Sequence, residues 1–173
     1  MSTYNFLSEL PVLPKMINIA LSLFGVKEVV GEKDNATILE WAKELGIQNT
    51  YNKDSIAWCG LFVALVVKRS GREPITNPLW ARNWAKWGVG VSEAMLGDIL
   101  VFVRNGGGHV GFYVAEDKDC YHVLGGNQSD AVTITRIKKS RCIAIRRPQY
   151  NNQPVTVKKY VVNATGRIST NEA

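Results

Sequence analysis

Apolar positions recur at helical spacing twice in the N-terminal part of the chain. Met16, Ile19, Ala20, Leu23 and Phe24 share one side of a helix predicted from Lys15 to about Phe24, ended by Gly25. Ile38, Leu39, Trp41, Ala42 and Leu45 repeat the pattern over Ala36 to Leu45, with Gly46 closing it. Gly31 to Asn35 reads as the loop between them. Ahead of both, residues 1–14 carry Pro11 and Pro14 and read as an extended arm. The run Leu61 to Val67 is different, because it is apolar on every face. A helix there must be central and buried. Asp54 and Ser55 are candidate N-caps, Lys68 and Arg69 suit its last turn, and Gly71 suits a left-handed stop. Leu79 to Trp87 reads as a short helix bearing Trp80, Trp84 and Trp87.

After Gly90 the period shortens. Gly97 to Arg104, His109 to Ala115, Cys120 to Leu124, Val132 to Ile137 and Cys142 to Arg147 read as strands at hairpin spacing, with Asn105 to Gly108 a turn. Val155 to Val162 is a candidate edge strand before a frayed tail. Helices first and a strand meander second predict an α+β fold, with N-terminal helices packed on an antiparallel sheet of about five to six strands. The organisation expected is an arm at 1–14, one domain at 15–148 and an extension at 149–173.

Composition narrows this only slightly. The chain has 173 residues, enough for one domain with a proper core. It is 46% apolar and 21% charged, ordinary values for a globular protein. The net charge of +6 favours an anionic partner, but no Lys/Arg block with interleaved aromatics points to nucleic acid. No apolar stretch reaches transmembrane length, so no stable membrane insertion is expected. Met16 to Val26 resembles a secretory core only superficially: Asn18 and Ser22 interrupt it, and Lys27-Glu28 stands where a cleavage site should be. Three cysteines give no disulfide framework.

One of those cysteines is well placed for chemistry. Cys59 falls in or just after the first turn of the central helix, where unpaired N–H groups and the helix dipole favour a thiolate. A nucleophilic cysteine needs a base and an orienting group. His109 opens a strand behind three glycines, and Asn127 follows Gly125-Gly126 at the end of the next strand. Adjacent antiparallel strands would bring the Asn127 carbonyl to the Nδ1 proton of His109. The Cys59 backbone N–H would meet a developing oxyanion, with Gln128 or Tyr51 as a second donor. Plainer readings stand beside these. Cys59 could be a small core residue, as Cys120 and Cys142 are expected to be. Trp80, Trp84 and Trp87 could be core or could wall a cleft, and Arg82 with Arg136, Lys138, Lys139 and Arg141 could be solvated charge or a lure for anionic polymer. His122, two residues after Cys120, is an alternative base. Together with Cys59 and His109 that pair could in principle bind zinc, but no paired short spacing supports a metal, and no cofactor is expected.

Six blocks in order carry a resemblance: Trp58-Cys59-Gly60; Ala81-Arg82-Asn83-Trp84 with Trp87-Gly88; Gly97-Asp98-Ile99; Gly108-His109-Val110-Gly111-Phe112-Tyr113-Val114; Gly125-Gly126-Asn127-Gln128; and Arg146-Arg147-Pro148. From about Met16 to Pro148 the chain resembles one branch of the CHAP amidohydrolase/peptidases, papain-like cysteine peptidoglycan hydrolases common among bacteriophage lysins. The resemblance implies a papain-like fold and cleavage of a peptidoglycan amide through an acyl-thioenzyme. It gives Cys59 the role of nucleophile, His109 that of proton shuttle and Asn127 that of orienting group. Trp58, Trp80 and Trp84 are candidate substrate-facing residues. The protein is then expected to be a monomer, made in the cytoplasm without a typical signal peptide and acting on the wall after release. Two rivals stay open: a catalytically silent wall- or glycan-binding module, and a cysteine peptidase or amidase toxin acting on a non-wall substrate.

Overall fold

A computed structural model describes residues 2–29, 34–164, 166–170 and 172. Most of the loop read at Gly31 to Asn35 lies outside the described residues. Four α-helices, α1 (Phe6–Glu9), α2 (Lys15–Ser22), α3 (Ala36–Leu45) and α4 (Cys59–Arg69), precede the sheet. Its strands are β1 (Val89–Gly90), β2 (Ile99–Arg104), β3 (Gly107–Glu116), β4 (Cys120–Gly125), β5 (Thr133–Lys138), β6 (Cys142–Arg147) and β7 (Ile168–Ser169). The architecture is α+β. The sheet has seven strands in the order β1-β6-β2-β3-β4-β5-β7, more than the five to six expected. It is also mixed, because β7 joins β5 in parallel while the other pairs are antiparallel.

The organising element is α4. Every residue from Cys59 to Val67 is buried, with α2, α3 and β3 packed around it. Its valines are mediocre helix formers. Burial of each Leu, Val or Phe contributes about 1.5–3 kcal/mol, so packing, not propensity, holds the helix. On the facing strand Val110, Phe112 and Val114 join the core around α4, while Tyr113 joins Leu100, Phe102 and Val123 on the opposite face. This is the two-residue alternation of a pleated strand, expressed as two apolar layers.

The start of α4 departs from the expected caps. Trp58 occupies the N-cap and no side chain caps the helix. The Asp54 carboxylate instead accepts from the Asn35 N–H at 2.7 Å and the Val29 N–H at 3.2 Å. Asn35 in turn caps α3 by accepting from the Thr37 N–H at 2.8 Å. The stop of α4 is as expected, with Gly71 at φ +87°.

Several segments are corrected. Residues 1–14 are not extended: a 3-10 turn (Ser2–Tyr4) and α1 bury Leu7, and Phe6 stacks on Tyr160. The tryptophan segment is a 3-10 turn (Ala81–Lys86), shorter than the helix read there. Val155 to Val162 forms no ladder and pairs with the sheet at one parallel bridge, Glu116 to Val161. The edge strand is β7 instead, and Glu172 beyond it is 1% exposed rather than frayed. Tail residues gain their order from the sheet edge they cover, which local pattern does not report.

Gly60, immediately after Cys59, has a backbone pressed against the segment before the 3-10 turn. A Cβ there would lie 2.1 Å from the Pro78 carbonyl oxygen. Gly60→Ala should therefore cost about 2 kcal/mol or more by forcing Pro78 and Leu79 off the helix. Urea unfolding checks this; a variant as stable as the parent would mean the two segments are not in such close contact.

Candidate active site

A cleft of about 570 Å³ opens at the start of α4, and Cys59, Leu79, Trp80, Arg82, Arg104 and Gly108 are among the residues lining it. Cys59 sits at its inner end, 5% exposed. The thiol lies against the Val110 N–H, one residue along β3 from His109, and near the N–H groups of Cys59 and Gly60. These donors and the Arg104 charge favour the thiolate, but burial outweighs them and pushes the Cys59 pKa up. The low pKa expected from a helix start is therefore overridden by burial, and the group rests as a thiol.

His109 is 1% exposed, with its ring beside Phe102. The hydrogen bond expected from Asn127 is made by its neighbour. Gln128 Oε1 lies 3.0 Å from His109 Nε2. The amide orientation follows from its other partners, since Gln128 Nε2 donates to the Thr133 carbonyl at 2.6 Å and the Val123 carbonyl at 3.2 Å. An amide fixed in that sense presents only an acceptor to the ring, so neutral His109 carries its proton on Nε2 and leaves the Nδ1 lone pair free. This is the opposite nitrogen from the one expected to carry the proton toward Asn127. The reason is the backbone: Asn127 has φ +56°, and this left-handed turn brings residue 128 rather than 127 to the imidazole. Asn127 is buried at 5% exposure and has no side-chain hydrogen bond among the described residues.

The two glycines ahead of this turn clear space on both sides. A Cβ on Gly125 would lie 2.8 Å from Gln128 Oε1 and 3.3 Å from His109 Nε2. One on Gly126 would lie 2.7 Å from the Trp58 ring and from Phe62 Cβ. The Gly-Gly-Asn-Gln block thus packs an indole and a polar pair against one short stretch of backbone.

Charge around the imidazole comes from elements that the sequence did not single out. Burial is the largest effect and lowers the His109 pKa; Arg104 and Arg141 add to it, Glu172 and Gln128 oppose it, and together they hold it at about 4. Glu172 is locked in a two-pronged pair with Arg141, at 2.7 and 2.8 Å. No sequence signal marked Glu172, and Arg141 looked like solvated charge. Among the described residues no hydrogen bond joins Cys59 to His109. The resting groups are a neutral thiol on α4, against the Val110 N–H, and a neutral imidazole on the preceding residue of β3.

The remaining candidates separate clearly. Tyr51 is fully buried and its hydroxyl donates to the Asp54 carbonyl at 3.2 Å, so it is committed to the loop rather than to the cleft. Gln128 spends both amide protons on carbonyls, so it is an acceptor toward His109 and not an oxyanion donor. Trp58 is buried, with its indole N–H donating to Glu28, and Trp84 is buried, donating to the Pro78 carbonyl at 2.9 Å. Neither lines the cleft. Trp80 is 73% exposed on the cleft. His122 is buried between the Tyr4 hydroxyl and the Asp117 carboxylate, both at 2.8 Å, where it pins the N-terminal segment to the sheet. Among the described residues no group of three His, Cys, Asp or Glu side chains could hold a metal, and no helix is long and apolar enough to cross a membrane.

No family model matches the sequence, and no curated protein matches it.

The depressed His109 pKa has a consequence for stability. The unfolded chain takes up this proton near 6.5 and the folded chain only near 4. Acid therefore favours unfolding. The stability this group supplies is complete above pH 6.5, falls as the pH drops and is exhausted below about 4, at most roughly 3 kcal/mol. Urea midpoints measured at pH 7.5 and 5 should converge in His109→Gln relative to the parent. An equal drop in both proteins would mean that His109 is not buried in its neutral form.

Proposed function

We propose that this protein is a papain-like cysteine amidohydrolase of the CHAP type, cleaving an amide bond of peptidoglycan in the manner of a phage lysin. The observation that carries the reading is that a cysteine at the head of a buried helix lies against the Val110 N–H of β3, next along the strand to a histidine whose imidazole is tied by a fixed glutamine. The Gln128 amide holds the Nε2 proton of the imidazole and leaves Nδ1 as its unprotonated nitrogen.

In this mechanism His109 Nδ1 takes the Cys59 proton as the sulfur attacks the scissile carbonyl. The carbonyl π electrons move to oxygen, and the Cys59 backbone N–H at the helix start meets that charge. Collapse of the intermediate expels the amine, which receives the proton from the imidazolium, and leaves a thioester. Water then loses a proton to Nδ1 and attacks the thioester, releasing the acid and restoring the thiol. Gln128 accepts the Nε2 proton throughout and so fixes which nitrogen shuttles. Because both groups rest in neutral form, the thiolate–imidazolium pair forms only once the substrate has entered and altered their solvation.

In this reading Gln128, rather than Asn127, orients the base. The test is clearance of purified sacculi by the parent and four variants. Cys59→Ala and His109→Ala should lose on the order of a hundredfold or more. Gln128→Ala should lose about tenfold, while Asn127→Gly, which keeps the left-handed turn, should stay near the parent. Clearance by Cys59→Ala at the parental rate would eliminate the nucleophile. An iodoacetamide-sensitive activity on soluble proteins but not on sacculi would move the substrate away from the wall. Sacculus binding without released fragments would make the protein a binding module.

A further inference from the structure

The cleft at Cys59 is cationic, and one of its charges is unopposed. Two arginines, Arg82 and Arg104, line it, and no aspartate or glutamate does. Four arginines elsewhere are neutralised locally: Arg69 closes on Glu44, Arg136 on Asp117, Arg141 on Glu172 and Arg147 on Asp98, while Arg72 and Arg146 are held by carbonyl oxygens. Arg82 has no hydrogen bond or ion pair among the described residues, although its position is defined. Its aliphatic stem crosses β3 at Gly108, the residue before His109, and a Cβ on Gly108 would sit 2.6 Å from Arg82 Cγ. The absence of a side chain at 108 is what seats this arm along the cleft. A guanidinium held by its stem but without a counter-ion is ready for a planar anion, which it can grip with two parallel N–H bonds.

We infer that the cleft selects substrates carrying a carboxylate beside the scissile amide, and that Arg82 is the residue that reads it. This rests on Cys59 being the nucleophile of the same cleft. The chemical class is a peptide or glycopeptide with a free carboxylate next to the bond that is cut; the corresponding carboxamide loses the charge and half of the paired acceptor geometry. Trp80, exposed on the same cleft, supplies an apolar face for the remainder of the ligand.

Alkylation of Cys59 in the full chain tests this without needing the natural substrate. Iodoacetate and iodoacetamide react with the same thiolate and differ in charge, so the ratio of their rates cancels any change in the Cys59 pKa. Mass mapping separates Cys59 from Cys120 and Cys142. In the parent, the iodoacetate-to-iodoacetamide ratio at Cys59 should exceed that of a neutral model thiol such as N-acetylcysteine amide. In Arg82→Gln it should fall by roughly three- to tenfold, Arg82→Lys should retain much of it, and added salt should erode it in the parent. An unchanged ratio in Arg82→Gln overturns the proposal, as does failure of both reagents to reach Cys59. Anionic preference in a protein that leaves sacculi intact upholds this selectivity and removes only the wall as substrate. Clearance of sacculi with no such preference removes this inference and leaves the hydrolase reading in place.

Discussion

The burial of α4 on all sides is the constraint from which the rest follows. A helix with no solvent face must be enclosed, so α2, α3 and β3 have to meet around it. Its N-terminus is then enclosed as well, and the free N–H groups of its first turn face a sulfur and a strand rather than water. Gly60 lets the Pro78–Leu79 backbone close over that end, and this same segment becomes a wall of the cleft. Packing of the core and shaping of the site are one event here.

Enclosure has an electrostatic price that reverses the simple expectation for a helix-start cysteine. The dipole and the local donors favour the thiolate, but desolvation is larger, so Cys59 rises and His109 falls. Two neutral partners are easier to bury than an ion pair. In the proposed mechanism the charge separation is therefore deferred to the moment of substrate binding. The fixed Gln128 amide matters because it sets the tautomer beforehand, leaving Nδ1 unprotonated without any ionisation in the resting state.

The segments at the two ends of the chain are working parts of this arrangement. The N-terminal turn is held to the sheet through Tyr4, His122 and Asp117, and Arg136 shares the same carboxylate at 2.8 Å. At the other end, β7 extends the sheet and brings Glu172 to Arg141, which places a buried carboxylate in the field of His109. A histidine with this environment depends on residues more than sixty positions away in the chain.

What the sequence determined by itself was whatever depends on neighbours along the chain. The limits of α3, the glycine stop of α4 and the span of β6 were legible because periodicity, caps and turn residues act over a few positions. The all-apolar run predicted the central helix for the same reason, and Cys59 and His109 stood out as soon as a helix start and a glycine-led strand were recognised. Tertiary structure decided the rest. A one-residue rotation at Asn127 gave the imidazole to Gln128, and close backbone contacts sent Trp58 and Trp84 inward while leaving Trp80 outside. Enclosure set the sign of both pKa shifts, and sheet pairing ordered a tail whose own pattern predicts fraying. Each of these turns on desolvation or on contact between distant segments, energies that exist only once the chain has closed on itself and that leave no periodic mark in the sequence.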